Sequence, residues 1–98
     1  MFFARFIVEG NSMAPVFLHG ERLLVNKLNY LMRSPRAGEV VILRHPQERN
    51  RMLLKRIAQV HDKETLSVIS EDLENGTDSR SFGPVKKKDI IGRALFRY

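Results

Sequence analysis

A lysine within a strongly apolar stretch is the first residue whose setting could support chemistry. Strand alternation over the run MLLKRI puts Lys55 on the same face as Leu53 and Ile57. Burial disfavours the ammonium form, and lowering its pKa from ~10.4 to about 7–8 costs roughly 4 kcal/mol and yields a usable base. A lysine that extends to the sheet edge and keeps its charge in water fits the same pattern, and periodicity alone favours that reading.

Ser12 offers a hydroxyl that such a base could activate. A serine is a weak nucleophile unless a neighbouring group removes its proton. Gly10 permits an unusual backbone shape before Ser12, Met13 can bury to fix the loop, and Pro15 stiffens its exit. Serines are common in turns, so this pattern by itself also describes an ordinary turn residue.

Histidine is the more usual partner of a catalytic serine, and the chain has His19, His45 and His61. Each lies beside a turn signal or in a polar connection, without a Gly-x-Ser-x-Gly elbow or an acidic partner at recognisable spacing. We therefore expect three surface histidines. The chain contains no cysteine, which excludes disulfides, thiolate catalysis and cysteine-based zinc sites, and no cofactor or metal is expected.

Short β-favouring runs separated by turn signals dominate the rest of the chain. In the first run Phe2, Ala4, Phe6 and Val8 alternate with polar and apolar residues that would face the other side. Strands are predicted at 2–9, 23–25, 39–43, 52–60, 65–69 and 89–98, the last either whole or broken at Gly92, with a helical turn at 29–33 and a long irregular segment at 70–85. Six or seven short strands predict an all-β barrel or sandwich.

Composition narrows the class of protein without selecting a partner. The 98 residues fit one domain, and 17 Lys and Arg against 11 Asp and Glu give a net charge of +6. That charge would suit nucleic acid, an anionic membrane surface or an acidic protein. No stretch approaches the ~18 apolar residues that span a bilayer. We expect a cytoplasmic location if the chain is complete and membrane association if it belongs to an anchored parent.

Four segments resemble the signal peptidase I family and occur in family order. VEGNSMAPVFLHGERLLVNK resembles the segment around the family's serine, and AGEVVILRHPQERNRMLLKRI resembles the segment around its lysine. SEDLENGTDSRSFGPV resembles a later segment that ends in Asp-Ser-Arg, and IIGRALFRY matches the closing strand. The resemblance covers nearly the whole chain. It implies one peptidase domain over residues 1–98 with a small, partly open β-barrel of the signal peptidase and LexA-type peptidase kind.

The resemblance also implies roles for individual residues. Ser12 would be the nucleophile, with its backbone N–H in the oxyanion hole, and Lys55 the general base. Asp78 and Arg80 match a pair that braces the site, and Met13 is a further supporting residue.

Three positions depart from the family pattern. Gly10 stands where some members carry a hydroxyl of the oxyanion hole, which implies a hole built from backbone alone. Gly76 stands where the family has the serine that orients the lysine; its neighbour Thr77 would need a local backbone shift to substitute. The opening Ser70-Glu71-Asp72 replaces the family's Gly-Asp-Asn.

The implied function is removal of a leader or pro-segment from a precursor polypeptide bound as an extended strand, with no nucleic-acid partner. The short chain, the run VILRHP and the ending GRALFRY resemble small relatives that mature nickel-type superoxide dismutase. Peripheral contact with a membrane surface stays open. The alternative is a catalytically decayed basic β-barrel that binds nucleic acid or protein, which the net charge and Gly76 favour.

Overall fold

The computed structural model describes residues 2–74 and 76–98, and its architecture is a curled antiparallel sheet. The strands are β1 Phe3–Ile7, β2 Arg22–Asn26, β3 Val40–Arg44, β4 Met52–Val60, β5 Thr65–Ile69, β6 Val85–Lys86 and β7 Ile90–Arg97. Two four-residue helices, α1 Asn29–Met32 and α2 Ser79–Phe82, and a 3-10 turn Lys87–Asp89 complete the described elements. The all-β prediction is confirmed.

The strand order is β1-β2-β7-β3-β4-β5-β6 in one seven-stranded sheet. Strand β3 is central, and all four residues from Val40 to Leu43 are buried because both of its faces are covered. Val40 and Ile42 join one hydrophobic cluster, while Val41 and Leu43 join a second cluster on the other face. The two clusters hold the strands on which the candidate site is built.

Strand β1 shows the predicted alternation over most of its length. Phe6 and Val8 pack in the first cluster, whereas Phe3 and Ile7 are exposed. Phe2, at the start of the predicted strand, precedes the first paired residue of β1 and is 61% exposed.

Strand β7 passes through Gly92 without a break. A Cβ atom at Gly92 would lie 2.6 Å from Val25 Cγ1 and 2.7 Å from the carbonyl oxygen of Asn26, so this glycine permits close packing of β7 on β2. The segment 70–85, predicted to be irregular, contains α2 and the start of β6. Within the described ranges, no helix is long and apolar enough to cross a membrane.

Candidate active site

Ser12 and Lys55, which are 43 positions apart in sequence, lie side by side in the fold. The Nζ atom of Lys55 is 3.1 Å from the Oγ atom of Ser12. Strand β4 supplies Lys55, whose backbone pairs with Val41 of the central strand. The turn after β1 supplies Ser12, which is half-buried and faces a cleft. A hydroxyl and an amine at this distance can exchange a proton directly.

Lys55 is buried, and it does not extend to the sheet edge as periodicity alone favoured. Its exposed fraction is 2%, and Leu53 and Ile57, two residues to either side, pack in the second cluster. Burial lowers the pKa of Lys55 to about 8; the carboxylate of Asp78 opposes this shift, and the nearby cations Arg51 and Arg80 add to it. Near pH 8 roughly half of these amines are therefore neutral, whereas an exposed lysine would be almost fully charged.

The loop that carries Ser12 is held at several points. Met13 is 1% exposed and anchors the loop in the first cluster. The backbone N–H of Asp72 donates to the carbonyl oxygen of Ser12 at 2.8 Å, and the N–H of Gly10 donates to Nδ1 of His19 at 2.9 Å. Gly10 has φ of 78°, a backbone conformation that strongly favours glycine. These contacts fix the direction in which the Ser12 hydroxyl points.

Asp78 and Arg80 form the predicted pair, and the Asp78 side chain is completely buried. Its carboxylate accepts hydrogen bonds from Nε, Nη2 and the backbone N–H of Arg80 and from the backbone N–H of Ser70, at 2.9 to 3.0 Å. Burial would raise the pKa of Asp78, but these hydrogen bonds and the charge of Arg80 outweigh it and hold the pKa at about 2. The pair ties the segment after β5 to α2.

Ser70 is a site residue that the sequence analysis missed. Its Oγ atom lies 2.9 Å from Nζ of Lys55, and the residue is only 2% exposed. The signal was available in the alternation of β5, because Leu66 and Val68 are buried and Ser70 continues the same inward face.

Gly76 and Thr77 lie at the rim of the same site. Gly76 is half-buried, and Thr77 is exposed while its carbonyl oxygen accepts a hydrogen bond from Oγ of Ser70 at 3.3 Å. The second hydroxyl in contact with Lys55 thus comes from Ser70, six positions before the glycine.

Both members of the Ser12–Lys55 pair line a cleft of about 690 Å³. One wall is formed by residues 6–13 and the other by residues 50–55, with Gly76 and Thr77 at one end. Exposed apolar side chains, Ile7 and Met52, flank the cleft. The hydroxyl is therefore accessible to a bound ligand, while the amine behind it is not.

The three histidines lie outside this cleft lining, and one of them is not a surface residue. His45 is 5% exposed, so the prediction of three surface histidines is wrong for it. Its Nδ1 accepts hydrogen bonds from the backbone N–H groups of Gln47 and Glu48. The buried ring thereby stabilises the turn after β3. Across residues 2–74 and 76–98, no cluster of three His, Cys, Asp or Glu side chains could hold a metal ion.

The chain is similar to known proteins over nearly its whole length. The family described as signal peptidase, peptidase S26, matches residues 1–61 and 59–98. Mitochondrial ATP-independent inner membrane protease subunit 1a of Arabidopsis thaliana is 32% identical, over 92% of this chain and 67% of that protein. Subunit 2 from the same plant is 30% identical, over 90% of this chain and 54% of that protein.

A chloroplast protein of Arabidopsis thaliana, thylakoidal processing peptidase 1, is 22% identical over 93% of this chain and 40% of its own length. This chain thus spans from 40% to 67% of the length of these three relatives. The matched family segments nevertheless run from the first residue to the last and include both sides of the cleft. By this end-to-end match, the chain belongs to the signal peptidase family, peptidase S26.

Proposed function

We propose that this chain is a serine endopeptidase in which Ser12 is the nucleophile and Lys55 the general base. The observation that carries the proposal is the 3.1 Å contact between Lys55 Nζ and Ser12 Oγ. Two features of the environment support it: the pKa of the amine is lowered to about 8, and the hydroxyl opens onto a cleft. With this pKa, roughly one tenth of the amines are neutral at pH 7 and about half at pH 8, which supplies the unprotonated form that a general base requires.

The reaction follows from the positions of these two groups. Neutral Lys55 takes the proton of Ser12 as Oγ attacks the carbonyl carbon of the scissile bond, giving a tetrahedral intermediate and an ammonium. The ammonium then donates that proton to the leaving amine as the peptide bond breaks, which leaves an acyl-enzyme ester on Ser12. Water, deprotonated by Lys55, hydrolyses the ester and restores both groups.

The negative oxygen of the intermediate requires hydrogen-bond donors, and the backbone N–H of Ser12 is the proposed one. At Gly10 a Cβ atom would meet nothing within 4 Å, so the space beside the loop is open to the substrate. The absence of a hydroxyl at this position is consistent with an oxyanion hole formed by backbone groups.

The substrate we propose is an extended polypeptide from which an N-terminal leader or pro-segment is removed. Strand β1 is an edge strand of the sheet; Phe6 and Ile7 at its end, and Val8 and Glu9 after it, line the cleft. A peptide laid in the cleft could therefore pair with this edge by backbone hydrogen bonds. Two relatives are named as an inner membrane protease subunit and a processing peptidase, which supports a precursor-processing role. The specific candidate is the precursor of a nickel superoxide dismutase.

The test is incubation of the full chain with that precursor, with the new N-terminus read by mass spectrometry. We expect wild type to release one defined leader and Ser12→Ala to release none, because the variant lacks the attacking oxygen. Ser67→Ala, a half-buried serine of β5 outside the cleft lining, is the matched control and should cleave like wild type. Equal cleavage by wild type and Ser12→Ala would contradict the proposal.

A second function, binding of a polyanion, is favoured by a separate cleft of about 590 Å³. Five lysines line it: Lys27, Lys63, Lys86, Lys87 and Lys88. Binding of this kind weakens steeply with salt and would be unaffected by Ser12→Ala. Salt-sensitive retention of DNA or RNA by both proteins, without cleavage of any precursor, would favour this function over the peptidase.

A further inference from the structure

We infer that Ser70 is the positioning residue that orients the amine of Lys55, and that Gly76 is a glycine because Ser70 occupies the space its side chain would need. The inference rests on the proposed role of Lys55 as the base. It assigns to position 70 the function of a hydroxyl that the sequence pattern placed at position 76, and it makes the two positions an interdependent pair.

The hydrogen bonds of Ser70 define how it can act on Lys55. Its Oγ lies 2.9 Å from Nζ of Lys55 and 3.3 Å from the carbonyl oxygen of Thr77. Because a carbonyl can only accept, the hydroxyl proton of Ser70 points to Thr77, and its lone pairs face the amine. The amine therefore donates an N–H to Ser70. The lone pair on Nζ of neutral Lys55 is then left free to accept the proton of Ser12.

The backbone of Ser70 is fixed as firmly as its side chain. The N–H of Ser70 donates to Oδ2 of Asp78 at 2.9 Å, and that carboxylate is completely buried. The Asp78–Arg80 pair thereby acts on the site through Ser70, since the described hydrogen bonds link the carboxylate to Ser70 and Ser70 to Lys55.

The environment of Gly76 shows why the two positions are coupled. A Cβ atom built on Gly76 would lie 2.2 Å from Oγ and 2.4 Å from Cβ of Ser70, which is far inside contact distance. The obstacles to a side chain here are Ser70 and, at 2.9 Å, the carbonyl oxygen of Asp72, with Ser70 the nearer of the two. One small volume beside Lys55 can be filled from position 70 or from position 76, but not from both.

The first test is Ser70→Ala, assayed with a synthetic peptide that spans the cleavage site mapped by mass spectrometry. We expect kcat to fall about 10- to 100-fold with KM unchanged, because a misplaced reacting group costs up to ~10²-fold. Loss of an acceptor also destabilises the ammonium, so the acid limb of the kcat profile should move to lower pH. A shift of the acid limb to lower pH would by itself raise kcat at neutral pH. A lower kcat in Ser70→Ala would therefore come from poorer orientation of the Lys55 amine.

The control for the first test is Ser67→Ala, which removes a half-buried hydroxyl from β5 that contacts His61 and lies outside the cleft lining. A Ser70→Ala enzyme with the kcat and the pH profile of wild type would overturn the inference.

The second test exchanges the two residues. Gly76→Ser alone should lose most activity, because its side chain collides with Ser70. Ser70→Gly alone should resemble Ser70→Ala. The double variant Ser70→Gly/Gly76→Ser should be at least tenfold more active than Gly76→Ser. Its recovery should be partial, since the new Cβ still lies 2.9 Å from the carbonyl oxygen of Asp72. A folded double variant that is no more active than Gly76→Ser would contradict the exchange.

Lys55→Ala, measured beside these variants, separates failure of the inference from failure of the proposed function. If Lys55→Ala cleaves the peptide as well as wild type does, the dyad itself is wrong. If Lys55→Ala is inactive while Ser70→Ala keeps the full wild-type rate, the dyad stands and only the role of Ser70 is refuted.

Discussion

Lys55→Arg is expected to lower kcat by about 10³-fold or more while the protein stays folded. The arginine keeps the length and the charge of the side chain, but a guanidinium does not lose its proton in proteins and cannot accept one from Ser12. The effect should appear in kcat, because the lost interaction is proton transfer during reaction and not binding of the substrate. Steady-state kinetics with the mapped peptide measures it.

Lys63→Arg is the matched control for this substitution. Lys63 is an exposed residue that lines the other cleft, so the same chemical change there should leave kcat within a factor of two, roughly the range of a neutral surface substitution. Circular dichroism of both variants establishes that they are folded. A folded Lys55→Arg enzyme with kcat within tenfold of wild type would remove Lys55 from the mechanism.

Asp78→Ala is expected to reduce the free energy of unfolding by about 3 kcal/mol. The substitution leaves the backbone N–H groups of Ser70 and Arg80 without their acceptor at a completely buried position, and each such loss costs about 1–3 kcal/mol. For a domain of this size the melting temperature should fall by roughly 10–20 °C. Urea denaturation at pH 7 measures the change in free energy.

Asp62 provides the comparison for Asp78, because its carboxylate also accepts two backbone N–H groups, those of Glu64 and Thr65, but in an exposed turn. Water can replace that acceptor, so Asp62→Ala should cost no more than about 1 kcal/mol. If Asp78→Ala were as mild as Asp62→Ala, the buried pair would not be the brace that holds Ser70 and α2 together.

Local periodicity predicted the parts of the site that depend on one strand at a time. Alternation placed Lys55 on one face with Leu53 and Ile57, and Phe6 on one face with Val8; the structure buries the first three and packs the other two in the first cluster. A period of two decides which face a residue takes, and that is a property of the strand alone. The same rule extended by one step beyond β5 would have found Ser70.

Features of the fold and the site that depend on several segments at once could not be predicted from strand periodicity. Strand β7 pairs with both β2 and β3, and no local pattern distinguishes this order from other antiparallel arrangements. The complementarity of Ser70 and Gly76 depends on how the loop between them folds back. The burial of His45 depends on the ring of Phe82, which lies 5.2 Å away and comes from α2. Such contacts join different segments of the chain, so the periodicity of a single strand cannot predict them.

A titration by nuclear magnetic resonance tests most directly whether Lys55 loses its proton at a pH well below that of an ordinary lysine, as a general base at this site must. Lysines labelled with ¹³C at Cε would be followed from pH 6 to 12, a range that brackets the ordinary lysine pKa of ~10.4, with the Lys55 signal assigned from its absence in Lys55→Arg. Because burial disfavours the ammonium, we predict a pKa of about 8 for Lys55, with cleavage rising over the same pH interval. A Lys55 signal that titrates near the ordinary lysine pKa would contradict the account.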